Sequence, residues 1–140
     1  MKYWDSSALV PLLFPEGVSA RAREIHRDDP AIVTWWGTAI ECVSALARRE
    51  RDGSLSPTAF GVAIGRVRTA ATSWTSIVPS DELRDQSIRL LRLHRLRAAD
   101  AVQLGAAIIA AQFQPGTLDF VTFDQNQKTA ADKEGFHVVD

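Results

Sequence analysis

The sequence contains little cysteine and histidine and no long apolar stretch. Cys42 is the one cysteine among 140 residues, which excludes an internal disulfide framework and a cysteine-based zinc site. No apolar run approaches the roughly 20 residues that a membrane-spanning helix needs. Asp5 also interrupts the apolar run that a secretory signal peptide would require. These features predict a cytoplasmic protein that does not enter a membrane.

An excess of charge of either sign is also absent. The chain has 16 Lys and Arg against 17 Asp and Glu, which excludes a uniformly basic surface for nucleic acid. Arginine nevertheless supplies 13 of the 16 cationic side chains, and it is clustered at Arg48, Arg49 and Arg51 and at Arg84, Arg89, Arg92, Arg95 and Arg97. Arginine suits bidentate contacts with phosphate, although a solvated helix face is an equally ordinary role for such a cluster.

Strand and helix signals alternate along the whole chain. Short apolar segments at 1–4, 31–34, 75–78, 119–122 and 136–139 predict five strands. One predicted helix follows Ser6 and ends at the Pro15-Glu16-Gly17 break. Further helices are predicted over 18–27, 36–51, 57–72, 81–94, 98–108 and 124–134. This alternation predicts an α/β fold with a central parallel sheet and helices on both faces. The length is that of one domain.

Four acidic residues occupy positions where such a sheet places its working crevice, at the carboxyl ends of the strands. Asp5 ends the first predicted strand, Asp124 follows the fourth, Asp100 lies in the first turn of its helix, and Glu41 lies within a helix. Each also has a purely structural interpretation. The three aspartates suit helix N-termini, with Gln127 completing a box-like signature after Asp124, and Glu41 suits a solvated surface.

Four carboxylates at one sheet end would repel one another unless a cation neutralised them. Hard oxygen ligands suit Mg²⁺ or Mn²⁺, and the scarcity of His and Cys argues against zinc. A cation of this kind lowers the pKa of a bound water and stabilises charge on a phosphodiester during an in-line displacement. The residues therefore favour metal-assisted hydrolysis.

Four separated blocks, in order along the chain, share the spacing of a known family. They are Tyr3-Trp4-Asp5-Ser6-Ser7-Ala8-Leu9; Ala39-Ile40-Glu41 with Ser44-Ala45-Leu46; residues 94–107, HRLRAADAVQLGAA; and Phe120-Val121-Thr122-Phe123-Asp124 with Ala130-Ala131 and Gly135-Phe136. Together they resemble PIN-domain proteins, especially the VapC-type toxins of bacterial toxin–antitoxin pairs. The resemblance spans the whole chain.

The resemblance implies a single PIN domain over 1–140 and a metal-dependent endoribonuclease that acts on RNA and is held inactive by a cognate VapB-type antitoxin. The acidic quartet of the family matches Asp5, Glu41, Asp100 and Asp124, and its hydroxyl positions match Ser6 and Thr122. We expect Asp5 and Asp100 as direct ligands of Mg²⁺ or Mn²⁺. Glu41 and Asp124 would complete the shell partly through water. Gln127 departs from the pattern, because an apolar residue is usual there.

Further expectations concern RNA and partner proteins. Arg95 and Arg97 precede Asp100 and are expected to contact substrate phosphate. Trp35 and Trp36 are expected to pack in the core or in a dimer interface rather than to stack on bases. The resemblance implies a homodimer, and surplus apolar surface on the first helix and on the helix after Pro57 would suit either a second copy or an antitoxin segment.

Four alternative functions require features that can be compared with the sequence. A haloacid-dehalogenase-like phosphatase needs a second Asp where this chain has Ser7, and a receiver domain needs a Lys where the chain ends in 136–140, FHVVD. A structure-selective DNA nuclease would need an arch or clamp insertion that the chain does not show. A non-catalytic PIN-fold module for RNA binding or protein interaction predicts the loss of an acidic position, whereas all four are present.

Overall fold

Within residues 1–15 and 17–140, which the computed structural model describes, five short strands form one parallel sheet. The strands are β1 (Lys2–Trp4), β2 (Ile32–Trp35), β3 (Thr75–Ile77), β4 (Asp119–Val121) and β5 (His137–Val139). Their order across the sheet is β3-β2-β1-β4-β5, and every neighbouring pair is parallel. Glu16, part of the predicted Pro15-Glu16-Gly17 break, lies outside the described residues.

Seven α-helices surround the sheet in the described part of the chain. They are α1 (Ser6–Leu13), α2 (Ser19–Asp28), α3 (Thr38–Arg51), α4 (Pro57–Ala71), α5 (Asp81–Leu93), α6 (Ala98–Ala110) and α7 (Gln125–Glu134). The predicted α/β class, with a central parallel sheet flanked by helices on both faces, is confirmed. None of these helices combines the length and apolar character needed to cross a bilayer.

Two apolar clusters cover the two faces of the sheet, because successive side chains of a strand point in opposite directions. Tyr3 and Phe120 face α5, α6 and α7, and their rings stack at 5.3 Å between centroids. Trp4 and Val121, the next residue of each strand, face α1 to α4. Burial of both faces explains why β1, β2 and β4 read as mainly apolar runs rather than as an alternating pattern, whereas the edge strand β3 is mostly exposed.

Local signals fix where several helices begin and end. The Ser56 hydroxyl accepts a hydrogen bond from the Ala59 amide and precedes Pro57, which suits a first-turn position of α4. Ser80 caps α5 in the same way. Gly135 ends α7 with φ of +95°, a conformation that side-chain-bearing residues rarely adopt.

The strand order creates a crevice beside β1. From β1 the chain continues to β2 on one side, whereas β4 and β5 are added on the other side, so the connections diverge between β1 and β4. In open α/β sheets this switch point, at the carboxyl ends of the strands, is where ligands bind. Asp5 follows β1 and Asp124 lies three residues after the end of β4.

Candidate functional site

The four carboxylates singled out in the sequence line one cleft. Asp5, Glu41, Asp100 and Asp124 border a cavity of about 500 Å³. Its lining also includes Ser6, Ser7, Ser44, Arg48 and Arg49. The structure therefore brings together acidic residues that are separated by up to 119 positions in the sequence.

All four carboxylates lie at helix N-termini. Asp5 caps α1 and Asp124 caps α7, while Glu41 and Asp100 lie in the first turns of α3 and α6. Since helices leave a parallel sheet from the carboxyl ends of its strands, their N-termini converge on the crevice. The unpaired amides and partial positive charge of a helix N-terminus stabilise a carboxylate there. The structural interpretation of the aspartates as caps is thus compatible with their forming one site.

Asp5 is the most deeply buried of the four. It is 2% exposed, and its carboxylate accepts hydrogen bonds from the amides of Ser7 at 2.6 Å and Ala8 at 3.2 Å and from the Thr122 hydroxyl at 2.7 Å. Burial nevertheless raises the pKa of Asp5 to about 6, because removing a carboxylate from water outweighs these hydrogen bonds.

Two hydroxyls join the segments that follow β1 and β4. The Ser7 hydroxyl accepts hydrogen bonds from the amides of Phe123 at 2.9 Å and Asp124 at 3.1 Å, and it lies 3.1 Å from the Thr122 hydroxyl. Thr122, predicted from the family pattern, thus contacts Asp5 directly. Ser7, which the sequence indicated only as part of a helix start, connects Asp124 to the same network.

Asp100 and Asp124 are linked through one glutamine. The backbone amide of Gln127 donates to the Asp124 carboxylate at 2.9 Å, and the side-chain amide of Gln127 donates to the Asp100 carbonyl at 3.0 Å. Gln127 is buried, and its side-chain oxygen has no protein partner within the described residues. Burial, and secondarily the charge of Asp124, raises the pKa of Asp100, while the Arg97 amide opposes this shift.

Glu41 is held by three hydrogen bonds rather than exposed as a solvated surface residue. One carboxylate oxygen accepts from the Trp35 indole at 3.0 Å, and the other accepts from the Ser6 hydroxyl at 2.9 Å and the Gln103 amide at 3.0 Å. Ser6 thus contacts a carboxylate of the quartet. Trp35 and Gln103 were not among the predicted site residues. A lone glutamine in the apolar segment Ala101–Ile108 was the available signal for Gln103.

Arg48 lies in a different depression from the two predicted phosphate contacts, Arg95 and Arg97. Arg48 lines the carboxylate cleft and forms no side-chain hydrogen bond or ion pair within residues 1–15 and 17–140. Arg95 and Arg97, the predicted phosphate contacts, line a second cavity of about 380 Å³ together with Leu96 and Asn126. His94 lies outside both cavities and pairs with Glu134 at 2.6 Å.

The chemistry of the cleft suits a hard divalent cation, although the ligands are not preassembled. All four acidic groups offer carboxylate oxygens, and none of them forms an ion pair with a cationic side chain of the described residues. No three His, Cys, Asp or Glu side chains in the described ranges are close enough together to hold a metal ion. Mg²⁺ tolerates such an arrangement because it commonly uses one or two carboxylates and keeps several waters.

Comparison with solved structures identifies proteins of the same fold. A chain of a toxin–antitoxin complex from Klebsiella pneumoniae is similar over 100% of this chain and 97% of its own length, with a TM-score of 0.65 and 17% identity. PAE2754 from Pyrobaculum aerophilum is similar over 100% of this chain and 90% of its own, with a TM-score of 0.65 and 21% identity. No protein-family model and no curated protein sequence matches the chain.

Proposed function

We propose that the protein is a metal-dependent endoribonuclease of PIN type and the toxin of a VapBC-type toxin–antitoxin pair. The observation that carries the proposal is the single cleft shared by Asp5, Glu41, Asp100 and Asp124, with no cationic side chain of the described residues paired to them. The fold shared with a chain of a toxin–antitoxin complex supports the same assignment.

Asp5 and Asp100 are proposed to hold Mg²⁺ or Mn²⁺ directly, and Glu41 and Asp124 to complete the shell partly through water. A divalent cation at this position supplies a water of lowered pKa and stabilises negative charge on the phosphodiester. The protein fixes the carboxylates through the contacts of Thr122 with Asp5, Ser6 with Glu41 and Gln127 with Asp124. Such fixed orientation avoids reorganisation during the reaction.

Arg48 is proposed to contact the RNA backbone within the cleft, and Arg95 and Arg97 beside it. Arg48 shares the cavity lining with the carboxylates and has no side-chain ion-pair partner in the described part of the chain. Its guanidinium is therefore available to a phosphate group. Contacts of this kind position the substrate but carry no sequence information, so the identity of the RNA must come from other features.

The first experiment is cleavage of small RNA by purified protein with Mg²⁺, with Mn²⁺ and with EDTA. We expect cleavage that requires the metal and that is abolished in Asp5→Asn and Asp100→Asn. Asp132→Asn is the matched control, because it is the same substitution at an exposed position of α7 that lies outside the cleft. Equal cleavage by all four proteins would indicate a contaminating nuclease.

An antitoxin partner and a homodimer are also proposed. Leu12, Leu13 and Val62 line a shallow groove between α1 and α4, and Val62 is 56% exposed. An apolar segment of an antitoxin would remove this surface from water. We expect induced expression to arrest bacterial growth for the wild type but not for Asp5→Asn, and co-expression of a cognate antitoxin to restore growth. Sedimentation of the purified chain measures its oligomeric state.

One observation favours the alternative of a non-catalytic module for RNA binding or protein interaction. The described residues contain no preassembled group of three metal ligands. If wild-type protein binds RNA with the same affinity in Mg²⁺ and in EDTA and cleaves none, this alternative replaces the nuclease assignment.

A further inference from the structure

We propose that Trp35 and Gln103 are positioning residues that hold the carboxylate of Glu41 in one orientation toward the cleft. The inference rests on the proposed nuclease function, to which it adds two residues that do not touch the metal or the RNA. It is carried by a hydrogen-bond network that uses both oxygens of Glu41 and by a glycine that accommodates the Trp35 ring.

The two oxygens of Glu41 are engaged from different elements. The Trp35 indole at the end of β2 donates to one oxygen at 3.0 Å. Gln103 of α6 donates to the other oxygen at 3.0 Å, alongside the Ser6 hydroxyl of α1 at 2.9 Å. Rotation of the carboxylate would break at least one of these bonds, and a hydrogen bond to a charged acceptor is stronger than one between neutral groups.

Gln103 is itself fixed, because every hydrogen-bonding group of its side chain is used. Its oxygen accepts from the Tyr3 hydroxyl at 2.8 Å, and its nitrogen donates to Thr38 at 3.0 Å as well as to Glu41. A reversed amide would place its oxygen against the Glu41 carboxylate. The fully buried Tyr3 hydroxyl donates to the amide oxygen, so this contact also fixes which end of the Gln103 amide faces Glu41.

The network ends on the backbone of the central strand. The Thr34 hydroxyl donates its one hydrogen to the Trp4 carbonyl at 2.7 Å. The Thr38 hydroxyl lies 2.7 Å from the Thr34 hydroxyl and is therefore the donor between these two residues. Gln103, Thr38 and Thr34 are all buried. A buried network in which each member is satisfied is rigid, because any rearrangement leaves a polar group without a partner.

Gly37 explains how the Trp35 indole reaches Glu41. A Cβ atom at position 37 would lie 2.1 Å from Cζ2 of the Trp35 ring, far inside van der Waals contact. The backbone of Gly37 has φ of −79°, which any residue adopts. Glycine is therefore needed at this position for the close approach of the ring and not for the turn itself. The segment Trp35-Trp36-Gly37 thus directs the indole N–H toward Glu41.

The contact can be tested without metal or RNA, from the ¹⁵N–¹H signal of the Trp35 indole. The signal is identified by its loss in Trp35→Phe. In Glu41→Gln the acceptor loses its charge, so we expect the Trp35 indole signal to move, whereas the other three indole signals and the signals in Asp132→Asn stay in place. A Trp35 signal that is unchanged in Glu41→Gln would overturn the inference.

The positioning role is tested by kinetics of RNA cleavage. We expect kcat of Trp35→Phe and Gln103→Leu to fall by about 10- to 100-fold, as is common when a residue behind a metal ligand is removed, with KM for RNA within about twofold. Trp74→Phe is the matched control, because Trp74 does not line the cleft, whereas the Trp36 ring lies edge-on to the Trp35 ring at 6.1 Å between centroids. A kcat of Trp35→Phe equal to that of the wild type would overturn the positioning role. If Gln103→Leu does not fold, Trp35→Phe alone decides the test.

Failure of the inference and failure of the proposed function give different results. If the wild type cleaves RNA and both variants cleave equally well, the nuclease assignment stands and the positioning role falls. If the wild type cleaves no RNA under any metal condition, the nuclease assignment falls and the positioning role falls with it. A Trp35 indole signal that still responds to Glu41→Gln then establishes the contact as a structural one.

Discussion

The Thr122 hydroxyl donates a 2.7 Å hydrogen bond to the carboxylate of Asp5, which joins the residue after β4 to the residue after β1. This bond is made in an environment from which water is almost excluded, since Asp5 is 2% exposed and Thr122 is fully buried. The charged form of Asp5 consequently lowers the free energy of unfolding, and this destabilisation can be measured.

We predict that Asp5→Asn stabilises the metal-free protein at neutral pH. Folding raises the pKa of Asp5 from 3.8 to about 6, so the folded state binds this proton more tightly and loses stability as pH rises between these values. The loss is complete above about pH 6 and amounts to about 2–3 kcal/mol. Urea unfolding in EDTA at pH 4 and pH 7.5 measures it. A variant less stable than the wild type at pH 7.5 would contradict the argument.

Addition of a divalent cation is predicted to favour the wild type instead. A ligand that binds only the folded state at 100 times its Kd adds about 2.7 kcal/mol of stability. We expect Mn²⁺ to raise the Tm of the wild type and of Asp132→Asn, but to have little effect on Asp5→Asn or Asp100→Asn. Equal Mn²⁺ stabilisation of all four proteins would place the cation outside the cleft.

Gly37→Ala is predicted to destabilise the protein by about 1–3 kcal/mol, because the added methyl group overlaps the Trp35 ring. Gly61→Ala is the matched control: Gly61 lies within α4 and has open space around the position of a Cβ atom. In a helix interior this change stabilises by about 0.5–1 kcal/mol. Thermal or urea unfolding compares the two variants. Equal effects would show that the ring does not constrain position 37.

Arg48→Ala is predicted to weaken RNA binding and to reduce its dependence on salt. Removal of one contact to a single-stranded phosphate lowers the slope of log K against log salt by about 0.7. Arg51→Ala provides the control, because Arg51 is exposed on the same helix and does not line the cleft. Fluorescence anisotropy of labelled RNA, measured in the Asp100→Asn background from 50 to 200 mM salt, tests the difference. Identical slopes for both arginine variants would exclude a specific contact by Arg48.

The two buried glutamines are predicted to differ in their tolerance of leucine. Gln127→Leu removes one hydrogen bond but also an oxygen that has no protein partner in the described residues, so the stability should change by less than about 1 kcal/mol. Gln103→Leu removes three hydrogen bonds, to Tyr3, Thr38 and Glu41, and takes away the acceptor of the fully buried Tyr3 hydroxyl, so it should cost at least about 2 kcal/mol. Urea unfolding at one pH compares the variants. The reverse order would contradict the assigned networks.

The helices and strands were predictable because their signals are local. Pro57 after Ser56, Asp124 before α7 and Gly135 after it each mark a boundary that the structure shows within about one residue. The order of the strands was not predicted, since it depends on pairing between distant segments such as β1 and β4. The strand order nevertheless decides which carboxylates meet.

The site was predictable as a set of acidic residues but not as a network. Asp5 and Asp124 follow strands, so their proximity could be inferred from the parallel sheet, and the family pattern indicated Ser6 and Thr122. The contact of Trp35 with Glu41 depends on the ring orientation that Gly37 permits, which no sequence period indicates. Trp36 was expected to be packed, yet it is 56% exposed in the single chain, and its place in a dimer interface stays a prediction.

The pairing of β1 with β4 also determines when the cleft can form during synthesis. Asp5 leaves the ribosome before Thr122 and Asp124, which are 117 and 119 residues further along the chain. Domains generally fold as units once their segments are available. A growing chain that has not yet reached Asp119 has no β4, and thus none of the hydrogen bonds that connect Ser7 and Asp5 to the Thr122 side. The complete cleft therefore requires synthesis past Asp124, and a chain that ends before β4 would carry Asp5 and Glu41 without Thr122 and Asp124.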